Sequence, residues 1–287
     1  MFEITMLGTS AAVPTPHRNL SSIAVRKDGD VYLLDCGEGT QRQMMKYGVS
    51  YMKVKAIFIS HLHLDHWLGM LGLIETMNLN GRQEQLTVYA PAGLSDFAGK
   101  RQFVKFVELK EGALADFGEF SVSAFATKHS PHSFGFSFQE KERRRFYEEK
   151  AHAAGVRGQL FSKIMKEGEL KIGGKKVLLK NITYLQPGKK LVYTSDTAPC
   201  AAVAKAAKGA DLLIHEATFS EEHEAEAKEA NHSTAAQAAQ IAKKAGAKKL
   251  LLTHISGRYR DTTPLLEEAK KHFAAVQVAE DGMKLEI

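Results

Sequence analysis

The chain has 287 residues, 44% of them hydrophobic, with a net charge of +6, values that suit one layered domain with a sizeable core. Cys36 and Cys200 are too few and too far apart for a disulfide framework, and no apolar run approaches the roughly 20 residues that span a bilayer. The opening residues lack a basic stretch followed by an apolar core, so they read as a first strand rather than a secretory signal. A soluble, cytoplasmic protein is expected.

In chain order, residues 2–7, 21–25 and 30–35 have the apolar, β-branched character of strands separated by turns. Residues 38–48 predict a helix closed by Gly48, and 55–60 a buried strand running into a His-rich loop. Helical apolar spacing follows over 67–79, with Trp67 expected in packing, and then strands over 86–90, 117–126 and 190–196. Residues 211–219 form another strand, followed by two Ala-rich helical stretches, the second over 234–246 and ending at Gly246. Residues 248–256 close the pattern as a strand. Four strands therefore end in His or Asp, at Ser60/His61, Ser195/Asp196, Ile214/His215 and Thr253/His254. Layered α/β enzymes build their sites from such strand ends.

Residues 139–190 break this rhythm. They open with a charged run, 140–155, of helical character and continue through Gly155, Gly158, Gly168 and the Gly173–Gly174 pair. The segment is expected to be an arm inserted into a single domain spanning 1–287. Residues 141–190 hold 14 Lys or Arg against 5 Glu and no Asp, a balance of +9, so the other 237 residues sum to −3. A solvated surface segment would show the same excess, but a local basic excess on a slightly acidic body also suits a polyanion contact.

The densest chemistry is His61-Leu62-His63-Leu64-Asp65-His66, an H-x-H-x-D-H run directly after a strand. Three imidazoles and a carboxylate within six residues form a zinc-type donor set, and alternation sends His61 and His63 to the same side of an extended chain. Asp65 and His66 stand where the chain turns into a helix and can face a second ion. The missing donors must come from other strand ends, and Asp196 and His254 fit. Spacing alone does not choose between His129 and His132 as a further donor.

These segments together resemble the metallo-β-lactamase superfamily and, within it, the ribonuclease Z family. Residues 7–15 with Arg18-Asn19 are similar to that family's opening loop, and Asp35-Cys36-Gly37-Glu38-Gly39-Thr40-Gln41 to its DCGEGTQ signature. His215-Glu216-Ala217-Thr218 matches its HEAT loop and His232-Ser233-Thr234 its HST loop. The resemblance runs in order from about residue 1 to 260. It implies a four-layer αββα sandwich with an inserted basic arm, binding two zinc ions per chain. One ion would be held by His61, His63 and His129, which stands six residues before Gly135-Phe136 as the family's ligand does. The other would be held by Asp65, His66 and His254, with Asp196 bridging the two.

The resemblance further implies an endoribonuclease that removes the 3′ trailer of precursor tRNA, leaving a 3′-hydroxyl on the tRNA and a 5′-phosphate on the trailer. Asp65 would steer the proton of the attacking water, and His232, held by Glu216, would protonate the leaving oxygen. A homodimer is implied, with the arm reaching the tRNA elbow. Where bacterial members carry a Gly-Pro-rich arm tip, this chain has Ala154-Gly155-Val156-Arg157-Gly158-Gln159-Leu160. Two rival readings are another binuclear hydrolase of this fold (phosphodiesterase, arylsulfatase-like or glyoxalase II-like) and a non-catalytic RNA-binding relative. The first needs neither a basic arm nor an HST loop, and the second would have shed donors that are all present here.

Overall fold

The computed structural model describes residues 1–99 and 101–287, which divide into two compact units, Met1–Gln139 with Lys189–Ile287, and Glu140–Gly188. Among the described residues, the larger unit contains two seven-stranded sheets. In the first, the strands run in the order Lys284–Glu286, Glu3–Gly8, Ser22–Lys27, Asp30–Leu34, Val54–Phe58, Leu86–Ala90, Val104–Glu108. In the second the order is Val276–Val278, Leu250–Thr253, Leu212–Glu216, Lys190–Tyr193, Phe134–Glu140, Phe120–Ala126, Gly112–Asp116.

Side-chain alternation explains why these strands stack into layers. Ile23, Val25, Tyr32, Leu34, Ala56 and Phe58 share one buried cluster with Phe136, Phe138, Leu191, Tyr193 and Ile214 of the other sheet. Their sequence neighbours Ala24, Val31, Leu33 and Ile57 instead join Met44, Trp67, Met70, Leu73 and Met77 of the helices on the outer face. Val192, Leu213, Leu250 and Leu252 do the same with Ala238, Ala239, Ala242 and Ala245 on the opposite side. Strands buried on both faces must read as continuous apolar runs, which is how residues 56–59 and 250–252 read. The result is a four-layer αββα sandwich.

Helix ends are set by local chemistry. The helix Thr40–Tyr47 stops at Gly48 in the left-handed conformation, φ 73°. The helix Ala235–Ala245 starts with a capping box, in which Thr234 Oγ1 accepts from the Gln237 amide while Gln237 Oε1 accepts from the Thr234 amide. That cap fixes where the chain leaves His232 and Ser233.

The strand ends that matter lie side by side. Tyr193 pairs with Ile214 and Glu216 with Thr253 in parallel register, so the chain past Tyr193, Glu216 and Thr253 emerges at one edge. The Phe134 amide donates to the Ser60 carbonyl at 3.0 Å, tying the end of the Val54–Phe58 strand to the second sheet at that edge.

The Glu140–Gly188 unit has its own small core of Ala151, Val156, Ile164, Leu170, Val177 and Ile182. The helical reading of residues 140–155 needs correction. Only Glu148–Ala153 is helical, and Arg143–Phe146 is a strand paired antiparallel with Thr183–Gln186. A helix over 140–155 would place Lys141 one turn from Arg144 and Arg145, a like-charge clash. In the strand, Arg144 donates to Thr183 Oγ1 at 3.0 Å and Arg145 to Gln186 Oε1 at 3.1 Å. The Gly173–Gly174 pair, φ 56° and 79°, turns the hairpin Glu169–Ile172 to Lys175–Leu178. The basic side chains Arg144, Arg145, Lys150, Arg157, Lys163 and Lys175 are exposed.

Candidate metal centre

His61, His63, Asp65 and His66 lie between the end of the strand Val54–Phe58 and the short helix Leu64–Trp67. Trp67, buried in the outer layer, donates Nε1–H to the Leu62 carbonyl at 3.0 Å and so braces the loop from behind. Asp196 and His254 follow the ends of two parallel strands, and both ends bend sharply, with Ser195 at φ 53° and His254 at φ 55°. Asp35, at the end of Asp30–Leu34, has φ 57°. Non-glycine residues rarely adopt such angles, and their concentration at one edge marks backbone bent to aim side chains.

The donors converge on Asp196. Its Oδ2 lies 3.7 Å from His61 Nε2, 3.3 Å from His66 Nε2 and 3.7 Å from His129 Nε2, while Oδ1 lies 3.3 Å from His254 Nε2. Asp65 Oδ2 stands 3.4 Å from His66 Nε2 and 3.6 Å from His254 Nε2. His63 Nδ1 faces His129 Nε2 at 3.2 Å. The donor atoms fall into a group of His61, His63, His129 and Asp196, another of Asp65, His66 and His254, and a third of Asp196, His232 and His254, each within 4.8 Å. His132, exposed and at φ 59°, is in none of them.

The backs of four of the five rings are occupied. His66 Nδ1 donates to Asp35 Oδ2 at 2.8 Å, His61 Nδ1 to Ser60 Oγ at 3.0 Å, and His254 Nδ1 to Thr218 Oγ1 at 2.9 Å. His129 Nδ1 donates to the Asn231 carbonyl at 3.2 Å. A ring that donates through Nδ1 presents a lone pair at Nε2. The Nε2 atoms of His61, His66 and His254, with Asp196 Oδ1, are buried without hydrogen-bond partners. Buried polar atoms are almost always satisfied, so a cluster of orphaned lone pairs facing one another is a site shaped for cations.

Electrostatics agrees. Burial opposes charge on His66, yet Asp196 and Asp35 push its imidazole well above the ordinary range, so in the metal-free cluster a proton on Nε2 takes the place a cation would fill. Burial likewise opposes ionisation of Asp65 and Asp196, but the surrounding imidazoles hold both carboxylates below their usual range. His61, chiefly through burial and then through His66, is pushed down. The pocket holds negative charge that asks for a positive partner.

Buried Glu216 and half-buried His232 form a second arrangement beside the first. Glu216 Oε1 accepts from His232 Nδ1 at 2.8 Å and from the Thr197 amide at 2.9 Å, while Oε2 accepts from Thr218 Oγ1 at 2.8 Å. Burial disfavours the charge on His232, but the adjacent Glu216 carboxylate more than offsets this and pushes the imidazole up to about 9. The His232 ring centroid lies 4.6 Å from that of His129 and 5.5 Å from that of His254.

All eight expected donor, acid and orienting positions besides the bridging Asp196 therefore lie in this one cluster. Sequence reasoning assigned no role to Asp35, Ser60, Tyr193, Thr218 or Asn231. Asp35 is the hub of its side, taking Tyr193 OH at 2.8 Å, Ser60 Oγ at 3.0 Å and the Ser60 amide at 2.8 Å. Its place inside the 35–41 signature was the available signal.

Comparison with known proteins agrees with this geometry. Residues 178–255 match the family model for the beta-lactamase superfamily domain, and residues 2–151 match one described as anti-Pycsar protein Apyc1. Ribonuclease Z of Methanosarcina acetivorans is 44% identical over 100% of this chain and 98% of its own length. The chain belongs to the ribonuclease Z family. Ribonuclease Z of Methanothermobacter thermautotrophicus is 41% identical, again over 100% of this chain and 97% of its own length. The crystal structure of human tRNase Z, short form, superposes with TM-score 0.72 at 31% identity, covering 99% of both chains. The Apyc1 match stops before Asp196, Glu216, His232 and His254, whereas the ribonuclease Z relatives align through all of them. Among the described residues no helix is long and apolar enough to cross a membrane.

Proposed function

We propose that the chain binds two zinc ions, one through His61, His63 and His129 and one through Asp65, His66 and His254, with Asp196 shared. The observation that carries this is the set of inward Nε2 atoms of His61, His66 and His254, whose rings are tied from behind at Nδ1 and have no protein partner in front. Two divalent cations so held would lower the pKa of a water and offset charge on a phosphodiester.

The reaction is endonucleolytic removal of the 3′ trailer of precursor tRNA, the activity of this family. The chain's own groups divide the remaining work. Asp65, held as a carboxylate and fixed by the Ala12 amide at 3.0 Å, accepts the proton of the attacking water. His232, kept protonated by Glu216, gives its Nε2 proton to the departing 3′ oxygen. The tRNA then ends in a 3′-hydroxyl and the trailer begins with a 5′-phosphate. The Glu140–Gly188 unit, an insertion with its basic side chains at the surface, serves as the arm that grips tRNA phosphates. The active unit is a cytoplasmic homodimer.

Metal analysis of the purified, zinc-loaded chain tests this reading. Two zinc ions per chain are expected, and their removal by a chelator abolishes hydrolysis until zinc is restored. Full activity in metal-free protein contradicts it.

A further inference from the structure

The segment Thr9–Asn19 carries the amide that holds Asp65, and its two ends are fastened by one distant carboxylate. Asp281, in the turn between Val276–Val278 and Lys284–Glu286, accepts from Thr9 Oγ1 at 2.8 Å through Oδ1. Through Oδ2 it accepts from the Asn19 amide at 2.7 Å and from Gln43 Nε2 at 2.8 Å. Arg18 reinforces the closure, donating to Thr9 Oγ1 at 2.7 Å and to the Ala279 carbonyl at 2.6 Å. The Ser10 amide also reaches the Asn19 carbonyl at 2.8 Å, so the segment is a closed loop.

Between these fixed ends the loop reaches the metal centre on two fronts. Ser10 and Ala11 pair with Ile255 and Ser256, the residues directly after His254. Ala12 adopts φ 52°, which turns its N–H onto Asp65 Oδ2 at 3.0 Å. A left-handed alanine is strained and persists only where its surroundings over-determine it. Ala12 itself is exposed, so the restraint comes from the loop's fastened base.

We propose that Asp281 is a positioning residue for catalysis, closing the Thr9–Asn19 loop so that the Ala12 amide stays on Asp65. The inference rests on the reading of Asp65 as a reacting group and deepens it. Asp281 touches no donor of the metal centre, so its loss should lower turnover without emptying the site.

The test compares Asp281→Ala, Asp281→Asn and Asp65→Ala in zinc-loaded full-length protein. Hydrolysis of bis(p-nitrophenyl) phosphate, metal content and hydrogen exchange of peptides covering 9–19 are measured. For Asp281→Ala the expected result is a kcat about 10-fold or more below wild type, KM within about twofold and unchanged zinc. Exchange over 9–19 should accelerate while exchange over 54–58 does not. Asp281→Asn, which keeps one acceptor oxygen, should fall between. A folded Asp281→Ala with normal kcat, or one losing zinc in step with activity, overturns the proposal. If Asp281→Ala does not fold, Thr9→Val removes two of the fastening bonds, and normal turnover in that variant overturns it equally. Full turnover by Asp65→Ala overturns the reading of the centre as well, whereas its loss beside a normal Asp281→Ala overturns the positioning role alone.

Discussion

Replacing Glu216 by Gln removes the charge that holds His232 protonated while keeping the side chain's size. In the folded protein Glu216 Oε1 lies 2.8 Å from His232 Nδ1, and the imidazole is pushed up to about 9. Without the carboxylate the group should return toward the free value of roughly 6.5. At pH 8 the protonated fraction then falls from about nine-tenths to a few hundredths, roughly a 30-fold loss of the acid form. The sign is fixed by the role. A general acid works below its pKa, so wild-type turnover declines as pH rises through about 9, and the variant declines from near 6.5. Bound divalent cations would draw both limbs down together, so the diagnostic quantity is their separation. The assay is kcat against pH for a 3′-extended precursor tRNA, beside bis(p-nitrophenyl) phosphate, whose leaving group needs little protonation. Superimposable pH profiles for the two proteins on the tRNA substrate would refute the reasoning.

Other outcomes follow from the same geometry. His232→Ala should lower turnover on precursor tRNA by about 10²–10⁴-fold, with zinc content unchanged and the p-nitrophenyl substrate less affected. His63→Ala should lose zinc from one site and abolish hydrolysis, with circular dichroism unchanged because the side chain is exposed. Asp35→Asn should weaken zinc binding by about 10–100-fold in a competition titration, since His66 loses the anionic partner of its Nδ1. Replacing residues 140–188 by a short Gly-Ser linker should weaken precursor tRNA binding and flatten its salt dependence, while p-nitrophenyl phosphodiester hydrolysis persists.

Much of this was legible in the sequence because the chemistry is concentrated. His61 to His66 announce themselves by density, and Asp196 and His254 by standing at the ends of apolar runs. The sandwich came from the family resemblance, carried by the 35–41 signature and the loops at His215 and His232. What stayed hidden depends on long-range contact. Tyr193 and Asp35 meet across 158 residues of sequence, and Thr9 and Asp281 across 272. Asp35 and Thr9 stand in family-like segments, but nothing local names Tyr193 or Asp281 as their partners. The left-handed turns at Ser195 and His254 were also invisible, because neither residue type advertises them as glycine would. The Arg143–Phe146 strand was missed because its partner Thr183–Gln186 lies beyond the reach of local helical pattern.

The most direct measurement is end-group analysis of the products from a 3′-extended precursor tRNA cut by the zinc-loaded protein. The account predicts a tRNA ending in a 3′-hydroxyl and a trailer bearing a 5′-phosphate, both absent after chelation and restored with zinc. A 3′-phosphate on the tRNA, stepwise loss of single nucleotides, or cleavage that persists without metal would contradict it.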